Sequence, residues 1–290
     1  AAVVLVIAAA GPWSPLTVHR AEAALGAGDA PAAQALYLRA ARFSPLPSAR
    51  AEALWNAARL SAVELGEVDG ICVGEPWNSV AVEKGVGEIV LSTSQIWRRG
   101  VEKVLALREP VLEEKREAVL RLIRALCRAA AHFVDPINWE HNAAILARPE
   151  YLDGSPELIR RAIADQILIA RGGTMIHYPD FMFQYREAAN FPWVSQAEWL
   201  YSQMVRWDGL TFDRADADKA ARVFRPDIYR AALLGTNEPL PGASSKVEGS
   251  IVTPTVVGTQ QGNMVLESNA FFDGKVFDPQ RIEEYLAQLP

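Results

Sequence analysis

The chain has 290 residues, half of them apolar, with 29 Lys and Arg against 35 Asp and Glu for a net charge of −6. That length and composition provide core for one large or two ordinary domains. Basic and acidic residues are interspersed without a basic stripe, which argues against nucleic acid as a partner, and any bound anion must be held by a local site rather than by the global field.

The first element is the apolar run AAVVLVIAAA, Ala1 to Ala10. It is about half the length that spans a bilayer and has neither an initiator Met nor a basic flank. Residues 1–12 therefore read as the remnant of a signal or membrane anchor, which would allow membrane attachment through the N-terminus. Residues 13–67 are alanine-rich and helical in pattern. Gly28, Ala33, Tyr37, Ala40 and Pro45 fall at the offsets of a tetratricopeptide unit, with glycine at the turn, small residues where two helices touch and proline at the exit. A weaker second start lies at Leu54 to Leu65. An ordinary helical hairpin fits the same residues, and a single repeat cannot bury its own face.

From Val68 the texture becomes α/β. The runs Val68–Val73, Glu88–Leu91 and Lys103–Leu107 are short, apolar and flanked by Gly, Ser or charge, and they read as strands. The first ends at Gly74, followed by Glu75, Pro76 and a short amphipathic run stopped by Gly85. A strand–glycine–helix opening of this kind leaves backbone N–H groups facing outward and suits a small anion. Glu75 is placed to favour the helix N-terminus electrostatically. Pro110 opens a long amphipathic helix with Leu112, Val119, Leu122, Ile123, Leu126 and Phe133 on one face, and Asp135-Pro136 stops it. Further helices are expected near Ile137–Ala147, Ser155–Ile169, Ser195–Trp207, Asp213–Phe224 and Arg281–Leu289. Asn237 to Gly262 reads as loop or strand. Cys72 and Cys127 lie in apolar patterns and are expected as buried free thiols.

Catalytic and metal chemistry find little support. His19, His132, His141 and His177 lack metal-ligand spacing, and two cysteines cannot make a structural zinc site alone. Gly85-Val86-Gly87 is too short for a phosphate loop, and there is no nucleophile elbow. Asp208 to Asp218 lacks the ligand order of a calcium loop and reads as a solvated helix start. No carboxylate pair stands out as an acid/base couple. The aromatic residues from Tyr178 to Trp207 read as packing of a lobe surface. The chain is expected to be no enzyme and to need no cofactor.

Several words in order resemble one family: CVGEPWN, EIVLSTSQIW with VEKVLALRE, ALCRAAAHFVD, YPDFMFQYREAANFPWVSQAEWLYSQMVRW, RPDIYRAA and FDGKVFDP. Together they resemble the nitrate/bicarbonate-binding receptors of ABC transporters and their nitrate-sensor relatives, with residues 68–290 similar to the C-terminal part. The resemblance implies an incomplete two-lobed clamp of the type II periplasmic-binding-protein class, preceded by the helical repeat-like segment. Of five family ligand positions it carries over two: Gly74, giving a backbone N–H, and Lys103, giving its ammonium. The other three (a Trp, a Gln and a His) belong to the family's N-terminal half, which the residues before Val68 do not resemble. A fusion, a truncation or a mis-assembled gene would account for this.

Lys103 favours nitrate or nitrite over bicarbonate. Bicarbonate carries an O–H that wants an acceptor, and calcium is implicated in that branch; an ammonium repels calcium. The implied partner is an ABC permease or a regulatory protein, at the periplasmic face of the envelope or, for a sensor, in the cytoplasm. The competing reading is a helical-repeat interaction protein with a vestigial receptor part.

Overall fold

The computed structural model describes residues 15–43, 53, 56–57, 69–179 and 181–289. The expected anchor at residues 1–12, the exit proline Pro45, Val68 and most of the second repeat start lie outside the described residues.

Two helices come first, α1 (Pro15–Gly26) and α2 (Ala30–Phe43). Gly28 takes a positive φ of 78° between them, a conformation that costs glycine nothing. The Asp29 carboxylate accepts a hydrogen bond from the Ala32 N–H and caps α2. Ala21 and Ala33 are fully buried beside Tyr37, so the small residues sit where the two helices touch.

Helix α3 (Trp77–Lys84) follows the Gly74 turn and ends at Gly85, whose left-handed φ of 69° closes the last turn. A single turn, α4 (Thr93–Ile96), is set by a capping box in which the Ser92 N–H donates to the Gln95 side chain. The three runs expected as strands carry no ladder, with one another or with any described strand. Ile89 donates a backbone bond to Ile169 and, like Val73, is partly buried. Ile71, Leu91, Val104, Leu105 and Leu107 are exposed, and Val90 is 92% exposed. A strand is stabilised by cross-strand neighbours, and without them a β-branched run does not become one.

The long helix is also modified. It starts at Glu109 with Pro110 in its first turn, breaks at Lys115, and resumes, giving α5 (Glu109–Glu114) and α6 (Arg116–Val134). The buried stripe of α6 is Val119, Leu120 and Cys127 with Ile123 partly buried; of the expected face Val119 and Ile123 point inward, while Leu122 and Leu126 are exposed. A 3₁₀ turn at Pro136–Asn138, with Asp135 accepting from the Ile137 N–H, leads into α7 (Trp139–Leu146). Helix α8 (Pro156–Ile163) is capped by Ser155 and stops well short of Ile169. Asp165 turns at φ 56°, and β1 (Gln166–Leu168) pairs antiparallel with β2 (Met175–His177) in place of the expected helical extension. Burial alternates through Gln166, Ile167 and Leu168, which is strand period rather than helix period.

The remaining elements are α9 (Val194–Asp208), α10 (Arg214–Ala221), α11 (Pro226–Leu233), the hairpin β3 (Thr255–Thr259) with β4 (Gly262–Leu266), and α12 (Ile282–Leu286). Asp213 caps α10 by accepting from Ala215 and Asp216, so the acidic stretch there is a helix start. One core joins α6 to α11 through Val119, Leu120, Cys127, Ile228 and Leu233. Another gathers Trp97, Tyr201, Phe271, Phe277 and Tyr285 around α9. Beneath it lies Glu248, fully buried, accepting from Ser195 (2.7 Å) and Asn269 (3.3 Å) and ion-paired with Lys246. Cys127 is buried as expected; Cys72 is exposed, because the run that holds it gains no covering layer.

Glu198 on α9 generates a pH prediction. Burial pushes its carboxyl up to about 6, against the pull of Arg214 and with help from Asp218. The folded chain therefore holds this proton more tightly than the unfolded chain. The stability linked to it is present below the ordinary value of 4.5 and is lost as pH rises towards 6. In urea unfolding, Glu198→Gln should gain about 1–2 kcal/mol on the wild type between acid and neutral pH. A difference between the two that does not change with pH would remove Glu198 as the cause.

Candidate functional site

Gly74 and Lys103 are brought together by two separate anchors. On the first side, the chain enters a Gly74-Glu75-Pro76 turn with a cis Glu75–Pro76 bond. The Trp77 N–H donates to the Gly74 carbonyl (3.2 Å), and the Asn78 side-chain amide donates to the Val73 carbonyl (2.9 Å). Ser79, Ala81 and Val82 bury one face of α3, which meets α8 and β1 and is tied to α8 by a Glu83–Arg161 ion pair.

On the second side, Trp97 stacks among Trp199 and Phe271, with ring centroids 4.5 and 5.1 Å away. The Arg98 N–H donates to the Ala270 carbonyl (3.3 Å). Arg99 makes a two-pronged ion pair with Glu187 (3.1 and 2.9 Å), each side chain 9% exposed, and its guanidinium lies 4.3 Å from the Phe183 ring centre. Glu187 also accepts from the Glu267 N–H (3.0 Å). These contacts fix the chain a few residues before Lys103.

The result is close juxtaposition. A Cβ placed on Gly74 would lie 3.4 Å from Lys103 Nζ and 4.0 Å from Glu102 Oε1. Gly74 is not among the positive-φ residues, so the turn does not demand glycine through its backbone; what glycine leaves there is room. Lys103 Nζ is 2.9 Å from the Glu102 carboxylate, with side-chain exposures of 28% and 44%. Burial alone would raise the Glu102 carboxyl, but neighbouring positive charge, with the hydrogen bond from Lys103 the largest lowering influence, outweighs it and holds the group below the usual carboxylate range. Both Glu75 oxygens are shielded from solvent, and burial raises that carboxyl against the opposing influence of Ser79, Asn78 and Arg161. Glu75 is thus turned towards the first turn of α3, where a carboxylate complements the helix end.

Chemically, the pair offers an ammonium beside a side-chain-free stretch of backbone. That combination suits a small acceptor and gives no nucleophile or proton relay. Glu102 escaped the sequence reading; its adjacency to Lys103 was the available signal. Among the described residues no group of three His, Cys, Asp or Glu side chains is arranged to hold a metal ion. A small cavity of about 90 Å³ lies elsewhere, lined by Cys127, Tyr185, Tyr229 and Glu238. There the Tyr185 hydroxyl donates to Glu238 (3.0 Å), and burial together with Glu238 pushes the Cys127 thiol up to about 11. A thiol so shifted is a poor nucleophile.

Comparison with known proteins gives consistent matches. Residues 36–147 match the model of the NMT1-like family. The chain is 31% identical over 199 residues to the nitrate import ATP-binding protein NrtC of a Synechocystis strain, covering 67% of this chain and 30% of that protein. It is 27% identical over 229 residues to the nitrate/nitrite binding protein NrtA of Synechococcus elongatus, covering 78% of this chain and 47% of the relative. The bicarbonate transport ATP-binding protein CmpC of the same species matches at 28% identity, over 78% of this chain and 30% of CmpC. The chain thus spans about half or less of the length of these relatives. Among solved structures, the periplasmic nitrate-binding protein NrtA of Synechocystis superposes with a TM-score of 0.67 at 24% identity, over 79% of this chain and 56% of that one. That superposition shows the fold: the chain has the architecture of part of a type II periplasmic-binding-protein clamp.

Proposed function

We propose, for a chain that belongs to the nitrate/bicarbonate-binding family of ABC-transporter substrate-binding proteins, that Gly74 and Lys103 form one wall of a site for nitrate or nitrite. The observation that carries this reading is the 3.4 Å approach of the Gly74 Cβ position to Lys103 Nζ, made from two independently anchored segments. Nitrate is planar and singly charged, and it accepts hydrogen bonds without donating any. It needs donors and one compensating positive charge. Lys103 supplies the charge, and the open backbone at Gly74 lets the anion come close.

Supporting the receptor role are the printed roles of the relatives, a nitrate/nitrite binding protein and components of nitrate and bicarbonate transport. On this reading the chain serves an ABC importer at the periplasmic face of the envelope. No helix among the described residues is long and apolar enough to cross a membrane. The wall is partly open to solvent, and in water an ammonium attracts a monovalent anion by only about 1 kcal/mol at contact distance. The chain alone should therefore bind nitrate only weakly, on the order of 0.1 M.

Two variants test the assignment, with nitrate binding followed by NMR titration at constant ionic strength. Lys103→Ala should weaken binding up to about five-fold, the upper range for a partly exposed charge contact. An unchanged affinity would remove Lys103 from the site. Gly74→Val should leave far-UV circular dichroism and melting temperature nearly as in the wild type while abolishing the nitrate response, since the added methyls fill the space in front of the ammonium. A Gly74→Val chain that binds nitrate normally would show that the open backbone is not part of the site.

A further inference from the structure

Within the site just proposed, and resting on that proposal, we infer that Glu102 is an internal stand-in for the oxyanion: its carboxylate occupies the anion position against Lys103, and an incoming ligand must displace it. Three observations carry this. Among the described residues beyond its chain neighbours, the atoms within 4 Å of the Gly74 Cβ position are Lys103 Nζ and Glu102 Oε1. The carboxylate oxygen lies 2.9 Å from the ammonium, the separation of a charge-assisted hydrogen bond. A carboxylate is planar, with its single negative charge shared over terminal oxygens, so it matches the ligand class that the wall would hold. Lys103 is thereby neutralised while the site is empty, and its side chain is kept in the site rather than extended into solvent.

The consequence is a selectivity rule. A ligand that only accepts hydrogen bonds competes with Glu102 for the same ammonium, and its affinity is lowered by the strength of the Glu102–Lys103 pair. Side-chain exposures of 28% and 44% place that pair among solvent-screened contacts. Removing the competing charge should then tighten binding by roughly two- to five-fold.

The test uses the full chain and sodium nitrate, with sodium chloride holding the ionic strength constant. Wild type, Glu102→Gln, Glu102→Ala and Lys103→Ala are titrated by NMR, and their melting temperatures without nitrate are compared. Glu102→Gln should bind nitrate two- to five-fold more tightly than the wild type. In Glu102→Ala, formate, a free carboxylate, should compete with nitrate at about two- to five-fold lower concentration than in the wild type, a shift that a merely structural role for Glu102 would not produce. Lys103-dependent nitrate binding that Glu102→Gln leaves unchanged or weakens would overturn the stand-in and leave the proposed site intact. Nitrate binding indifferent to Lys103→Ala, or absent from wild type and Glu102→Gln alike, would overturn the proposed site and this inference with it. Bicarbonate binding that is tighter than nitrate binding and is lost in Glu102→Gln would make Glu102 an acceptor for the ligand O–H, which also overturns the stand-in.

Discussion

The candidate site depends on one interaction more than any other, the Arg99–Glu187 ion pair. Both side chains are nearly buried, and two parallel N–H···O contacts fix their relative geometry. Desolvating two charges is costly, and such a pair is tolerated only where the geometry is good and further hydrogen bonds satisfy the remaining oxygens. Here the Glu267 N–H supplies one, and the Phe183 ring lies against the guanidinium. The pair therefore binds three parts of the chain: the segment leading to Lys103, the aromatic loop before α9, and the end of β4. The Trp97 cluster secures the same segment through apolar contact. Lys103 owes its position to these neighbours, because among the described residues its own run has no strand ladder to hold it.

That lack of a ladder is the second physical feature of the molecule. Backbone N–H and C=O groups require partners, and among the described residues the three apolar runs around the site pair with no strand and expose most of their side chains. The chain covers 56% of the solved nitrate-binding protein with which it superposes. The described residues place a salt-bridged ammonium beside the open backbone of Gly74, with exposed apolar side chains near it. A wall of this kind is consistent with weak, charge-dependent anion capture; tight binding would need a second surface to exclude water and raise the worth of each contact.

Much of the helical part was legible because its signals are local. Asp213 caps α10, and the repeat of apolar positions from Ser195 onward marks α9, both without reference to distant residues; α11, opened by Pro226, was not expected. The turn at Gly74 was legible for the same reason, and its meeting with Lys103 came from the order of family words rather than from any periodicity. What failed depends on partners. Val68–Val73, Glu88–Leu91 and Lys103–Leu107 have strand composition, yet composition does not provide neighbours. The apolar stripe of the long helix was expected on Leu112, Val119, Leu122, Ile123, Leu126 and Phe133; packing against Ile228 and Leu233 keeps Val119 and Ile123, adds Leu120 and Cys127, and leaves Leu122 and Leu126 outside. Cys72 was expected inside because its neighbours are apolar, and it stays outside because nothing covers them. Glu102 went unread because ion pairing between adjacent residues depends on side-chain directions that a sequence does not state.

The central claim is that Gly74 and Lys103, held by separate anchors, act as one anion-binding wall. The most direct measurement is a residue-resolved NMR titration of the isotope-labelled full chain with nitrate. The account predicts shifts concentrated at Gly74 to Trp77 and at Glu102 and Lys103, saturating together with a single apparent affinity. Shifts centred instead on the Tyr185–Glu238 cavity, or none at Gly74 and Lys103 at nitrate concentrations that perturb other residues, would contradict it.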